Sequence, residues 1–167
     1  MLNSSKLKSA ERAFFSRYPQ GFDDPEILRV VKKHRMLPMT ELARDSFSER
    51  ACSNIHVTAE NVVKIVSRSS MVSLFEKPKF RDFARSLPPK EMKTLASGLE
   101  NVLHGNEQLG FETMLEVLQS GKLGKWSLMT ICQNYYRPET EVFVKPTTAK
   151  GVIEFFVIPQ TETLHIG

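Results

Sequence analysis

The 167-residue chain has two cysteines, one tryptophan and no long apolar run, and each shortage removes a class of protein. Cys52 and Cys132 lie far apart among small or apolar neighbours, and a chain of this length needs no disulfide to hold it together. With free thiols and seven methionines, a reducing, cytoplasmic setting is expected. There is no Cys-x-x-Cys and no His-x-x-x-His, which excludes the common structural zinc sites, and no cofactor is expected. No apolar stretch approaches the roughly 18–20 residues that cross a bilayer, so no membrane partner is expected. The opening MLNSSKLKSAERAFF is broken by Lys6, Lys8, Glu11 and Arg12, which argues for a first helix and against a secretory signal. Neither G-x-S-x-G nor G-x-x-x-x-G-K-[ST] occurs, so there is no serine-hydrolase elbow and no nucleotide P-loop. Positive charge is absent from the last seventeen residues and concentrated before residue 100; a net charge of +4 suits an acidic partner.

What is present is apolar spacing of three and four, the mark of amphipathic helices. Leu7, Ala10, Phe14 and Tyr18 make a first stripe ended by Pro19 and Gly21. Asp24 and Pro25 open a second helix, with Ile27, Val30, Val31 and His34 on one face, and Pro38 is expected to stop it before a short helix in TELARDSF. Residues 49–57 show no period and read as a loop. Thr58 is the expected cap of a helix that turns Val62, Ile65, Val66 and Ser69 inward and Glu60, Lys64 and Arg68 outward. Phe80, Phe83, Ala84 and Leu87 mark a helix from near Pro78, broken by Pro88-Pro89. The clearest helix runs from Pro89 to His104, closed by Gly105; the next has Asn106 as its cap, and a shorter one turns Leu128, Ile131, Cys132 and Tyr135 inward. The sequence therefore predicts a mainly α fold, a single-domain orthogonal or antiparallel bundle of seven to eight short helices. At most a small extended segment is expected near 141–145. The domain is expected over residues 1–158, with a mobile tail over 159–167.

Four places carry possible chemistry. Residues 64–85 mix Lys64, Arg68, Lys77, Lys79, Arg81 and Arg85 with Phe75, Phe80 and Phe83; because Phe80 and Phe83 fall on the buried stripe, the cations rather than the rings form the expected surface for phosphates. In residues 135–156, Pro-Thr-Thr reads as a helix start, where Thr147 and Thr148 with Lys145 or Lys150 would bind an anion; a hairpin over the same residues is the rival. Glu139, Glu141 and Lys145 imitate part of a metal-dependent, phosphoester-cleaving set. Cys52 and His56 are the one Cys/His neighbourhood. MTELARDSF resembles the first helix of a helix-turn-helix, but the next strong helix starts some ten residues after Phe47, too far for that motif. Trp126 is expected to anchor the core. The sequence thus points to a non-catalytic binding protein whose basic helical face meets an acidic partner, nucleic acid or protein, with a nuclease-like enzyme as the alternative.

Overall fold

The computed structural model describes residues 3–143, and they contain helices and no strand. Nine α-helices occur among these residues: α1 Ser4–Arg17, α2 Pro25–Lys33, α3 Met36–Phe47, α4 Glu49–Cys52, α5 Ile55–Arg68, α6 Glu76–Ser86, α7 Pro89–His104, α8 Glu107–Ser120 and α9 Trp126–Tyr136. A 3₁₀ turn, Gly21–Asp23, joins α1 to α2. Gly21 has φ +63°, a backbone state that side chains with a Cβ rarely adopt, so glycine permits this reversal. The expectation for residues 144–158, including the extended segment beyond Phe143, and the tail over 159–167 lie outside the described residues.

Most starts follow the capping rules. Asp24 accepts from the Glu26 N–H, with Pro25 at the first helical position, and Asn106 accepts from the Leu109 N–H at 3.0 Å. Two boundaries differ from expectation. Pro38 does not stop a helix; it is the third residue of α3, where the backbone N–H has no intrahelical acceptor to lose. The reversal between α2 and α3 is made instead by Arg35, with φ 50°.

Residues 49–57 are not a loop. Ser48 caps the single turn of α4, its hydroxyl accepting from the Ala51 N–H at 3.2 Å, and Asn54, not Thr58, caps α5. Thr58 is buried inside α5, its hydroxyl donating to the Asn54 carbonyl at 2.9 Å.

The core is built on α3, α5, α7, α8 and α9, with Phe47, Ile65, Val66, Leu99, Met129, Ile131 and Tyr135 among its enclosed side chains. α7 and α8 form an antiparallel hairpin: Gly98 lies against Met114, and Val102 against Gly110. α9 is enclosed nearly all round, since every residue from Ser127 to Tyr135 is buried. α1 and α2 stand apart, because neither buries a residue and the core cluster contains nothing before Met36.

Candidate cationic groove

α5 and α6 pack against each other, and the buried face of each sets which side chains reach the seam. With α5 turning Val62, Ile65 and Val66 into the core, Lys64 and Arg68 fall one turn apart on its outer side. α6 buries Phe80 and Ala84 and so carries Arg85 outward. Lys64, Arg68 and Arg85 converge on a shallow groove of about 350 Å³, which Glu60, Asn61 and Ser67 complete. Three cations face one carboxylate there, and none of the three takes part in the ion pairs of the described residues, which engage Arg17, Arg44, Arg81 and Arg137.

Arg68 also borders a neighbouring groove of about 340 Å³ with Arg35, Glu41 and Asp45. Arg35 donates to the Arg68 carbonyl at 3.4 Å, which extends the cationic row toward α2, but two carboxylates balance the two guanidinium groups in this second groove. An anion is therefore better served between α5 and α6.

Of the six cations expected on this face, the groove collects three; Lys77, in the first turn of α6, does not line it. Arg81 is turned to Asp82 at 3.2 Å, and Lys79 lies about 120° round the helix from Arg85, so neither lines it. Phe80 is enclosed and Phe83 half-buried, leaving no stacking platform beside the groove, whereas Phe75 and Leu74 before α6 project into solvent. Lys145, Thr147, Thr148 and Lys150 lie outside the described residues. Arg35 and Asn61 belong to the same surface and were not among the expected residues; Asn61 stands three residues before Lys64 on α5, where helical spacing could have found it, whereas only tertiary packing brings Arg35 to Arg68.

The other candidates separate. Glu139 pairs with Arg44 at 3.1 Å and Glu141 with Arg137 at 3.6 Å, so each carboxylate serves its own arginine. No group of three His, Cys, Asp or Glu residues able to hold a metal occurs among the described residues. Cys52 is buried, its thiol donating to the Phe47 carbonyl at 3.5 Å, while His56 is exposed and opens onto another groove with Lys90 and Lys93. His104 sits in the last turn of α7 as expected, with Nε2 2.6 Å from the Phe47 carbonyl. Trp126 is half-buried against Phe111, at 6.1 Å between ring centroids.

Burial pushes the Cys52 thiol up to about 11, with Glu100 adding to the shift, and burial alone pushes Cys132 up to about 12. Neither is a ready nucleophile, because the thiolate is the reacting form. Folded protein at pH 8 is expected to leave both thiols unmodified by a thiol-exchange reagent over minutes, whereas urea-unfolded protein reacts fully. Unfolded thiols release protons from about pH 8.5, below their folded values, so the unfolded state binds fewer protons above that pH. Stability is therefore expected to fall as pH rises from about 8.5 toward 11, and urea melts across that range measure the loss.

Among the described residues the fold and groove define a class, a helical bundle with a cationic groove between two of its helices. No family model, no curated protein and no solved structure matches this chain.

Proposed function

We propose that the chain is a non-catalytic binding protein that receives an acidic macromolecule, nucleic acid or an acidic protein segment, in the groove between α5 and α6. The observation that carries this reading is the convergence of Lys64, Arg68 and Arg85, from two helices, without ion-pair partners among the described residues. Surface cations already neutralised contribute little to a partner's affinity, whereas unpaired ones steer and hold an anion. Arg68 and Arg85 add the planar, forked geometry that suits phosphate and carboxylate oxygens. The pairing of Glu139 and Glu141 with separate arginines favours binding over metal-assisted cleavage.

The test is fluorescence anisotropy with a labelled single-stranded oligonucleotide and with labelled polyglutamate. Three phosphate contacts predict a log–log salt slope of about −2 for a single strand. Lys64→Glu, Arg68→Glu and Arg85→Glu together are expected to weaken binding at least about a hundredfold, while Arg81→Glu, outside the groove, changes it less than about threefold. Undetectable binding of both probes at low salt, or a triple variant that binds as well as wild type, refutes the reading.

A further inference from the structure

Residues 1–34 hold seven Lys and Arg against four Asp and Glu, +3 of the chain's formal net charge of +4. The same segment contributes little to the core, since α1 and α2 bury no residue between them. Its apolar side chains face outward instead: Phe22 is 79% exposed and Phe15 50%, and Leu7 is nearly half exposed. Phe15 and Phe22 flank the same ring, each with its centroid 5.4 Å from that of Phe14, so the outward aromatics form one patch. A bidentate ion pair from Arg17 to Glu26, at 2.6 and 3.1 Å, ties α1 to α2 and holds the patch together.

We propose that α1, the 3₁₀ turn and α2 form a peripheral docking face for an anionic lipid bilayer, on which the protein lies without crossing. Charge complementarity and the outward aromatics select this occupant together. Phosphates of a nucleic acid would meet the cations but leave Leu7, Phe15 and Phe22 in water. A partner helix docks into a groove, and the three grooves described above take nothing from residues 3–34. A bilayer interface takes both features. Rings and aliphatic side chains enter the headgroup boundary, and Lys8 and Arg12, at helical spacing beside Phe15, extend to anionic headgroups. No helix among the described residues is long and apolar enough to cross a membrane, and the expectation of no membrane partner rested on that spanning length alone. A helix lying in the interface needs no such length.

Co-flotation of the full chain with vesicles tests this, using phosphatidylcholine alone and phosphatidylcholine with roughly 30 mol % phosphatidylserine. Wild type is expected to float with the anionic vesicles only, less so as salt rises. Phe15→Ser with Phe22→Ser, and separately Lys8→Glu with Arg12→Glu, are each expected to lower partitioning at least about tenfold, with unchanged circular dichroism. The triple α5–α6 groove variant is expected to float like wild type, which keeps this outcome separate from the proposed function. No flotation with anionic vesicles at low salt, equal flotation with neutral ones, or face variants that float like wild type overturns the proposal. A dimer that Phe15→Ser with Phe22→Ser converts to monomer in sedimentation equilibrium, without flotation, assigns the face to a second copy and also overturns it. So does loss of oligonucleotide or polyglutamate binding in Lys8→Glu with Arg12→Glu when no vesicle binding is seen.

Discussion

Replacing Gly110 by leucine is expected to destabilise the protein by about 3 kcal/mol or more, read as a fall in the urea midpoint. Gly110 lies where α7 and α8 cross, and a Cβ placed there would stand 2.5 Å from the Gly98 carbonyl oxygen and 2.5 Å from the Val102 nitrogen. Both are backbone atoms of a helix and cannot rotate away, so the two helices must separate. Separation strips contacts from Leu99, Val102, Met114 and Leu118, all core residues of this hairpin. The better helix propensity of leucine returns less than about 1 kcal/mol, which does not offset the clash. Gly98→Ala is the informative companion. Its Cβ would meet Met114 Cγ at 2.8 Å, a flexible side chain, and the Gly110 carbonyl oxygen at only 3.1 Å, so a smaller loss is expected. At Gly124 the nearest atom is Gln119 Cγ, at 2.7 Å, part of another flexible side chain, and Gly124→Ala is expected to lie within about 1 kcal/mol of wild type. If Gly110→Leu melted with wild type, the close crossing of α7 and α8 would be wrong.

That crossing shows where reading the letters ends. Met92, Leu95, Ala96, Leu99, Val102 and Leu103 announce the buried face of α7 because a helix repeats every 3.6 residues; five are buried, and Met92, in the first turn, is half-buried. Gly98 and Gly110, by the same rule, look like gaps in a helical pattern, and only the neighbouring helix gives them a purpose. α4 is a single turn, too short for a period to repeat, so the N-cap residues Ser48 before it and Asn54 before α5 were the only local signals. Pro38 was misread because a proline in the first turn looks, in the sequence, like a proline after the last.

The candidate site divides in the same way. Lys64 and Arg68 are visible as an i,i+4 pair on the outer face of α5. Arg85 joins them only through the packing of α5 on α6, and Arg35 only through the left-handed reversal at its own position. The glutamates near residue 140 are close in sequence yet held by arginines from α3 and from the end of α9, so closeness along the chain misstated their relation. The two proposed surfaces follow from this division of labour. α5 and α6 are committed to the core and expose mostly charged and polar side chains, whereas α1 and α2 bury nothing in the core and expose apolar and charged groups together.

Tyr135→Ala is expected to be the most damaging single truncation, at about 3–5 kcal/mol for the ring plus about 1 kcal/mol for the hydroxyl's hydrogen bond. A domain has only about 5–15 kcal/mol in all, so the variant is expected to be largely unfolded at 37 °C by circular dichroism. The reason lies in α9, which cannot pack like its neighbours. Because every residue from Ser127 to Tyr135 is buried, its polar side chains need partners inside the protein. Thr130 donates to the Trp126 carbonyl at 2.7 Å, Asn134 donates to the Glu141 carbonyl at 2.9 Å, and the Ser127 hydroxyl donates to Glu76 at 3.0 Å. Tyr135 is the largest side chain in this set with no exposed surface, and its hydroxyl sits 2.8 Å from that of Ser69 at the end of α5. Ser69 in turn accepts from the Met71 N–H at 3.0 Å, so the pair fixes how the chain leaves α5. Tyr135→Phe keeps the ring and leaves Ser69 with its Met71 partner; a loss of about 1 kcal/mol is expected. Ser69→Ala should cost more, because it removes both bonds and leaves the tyrosine hydroxyl buried without its partner. In the double variant Tyr135→Phe with Ser69→Ala, that penalty disappears, and the coupling between the two positions reports the shared hydrogen bond. Equal losses for Tyr135→Phe and Tyr135→Ala would mean that the ring fills no enclosed space, and α9 would then not be the central helix of the bundle.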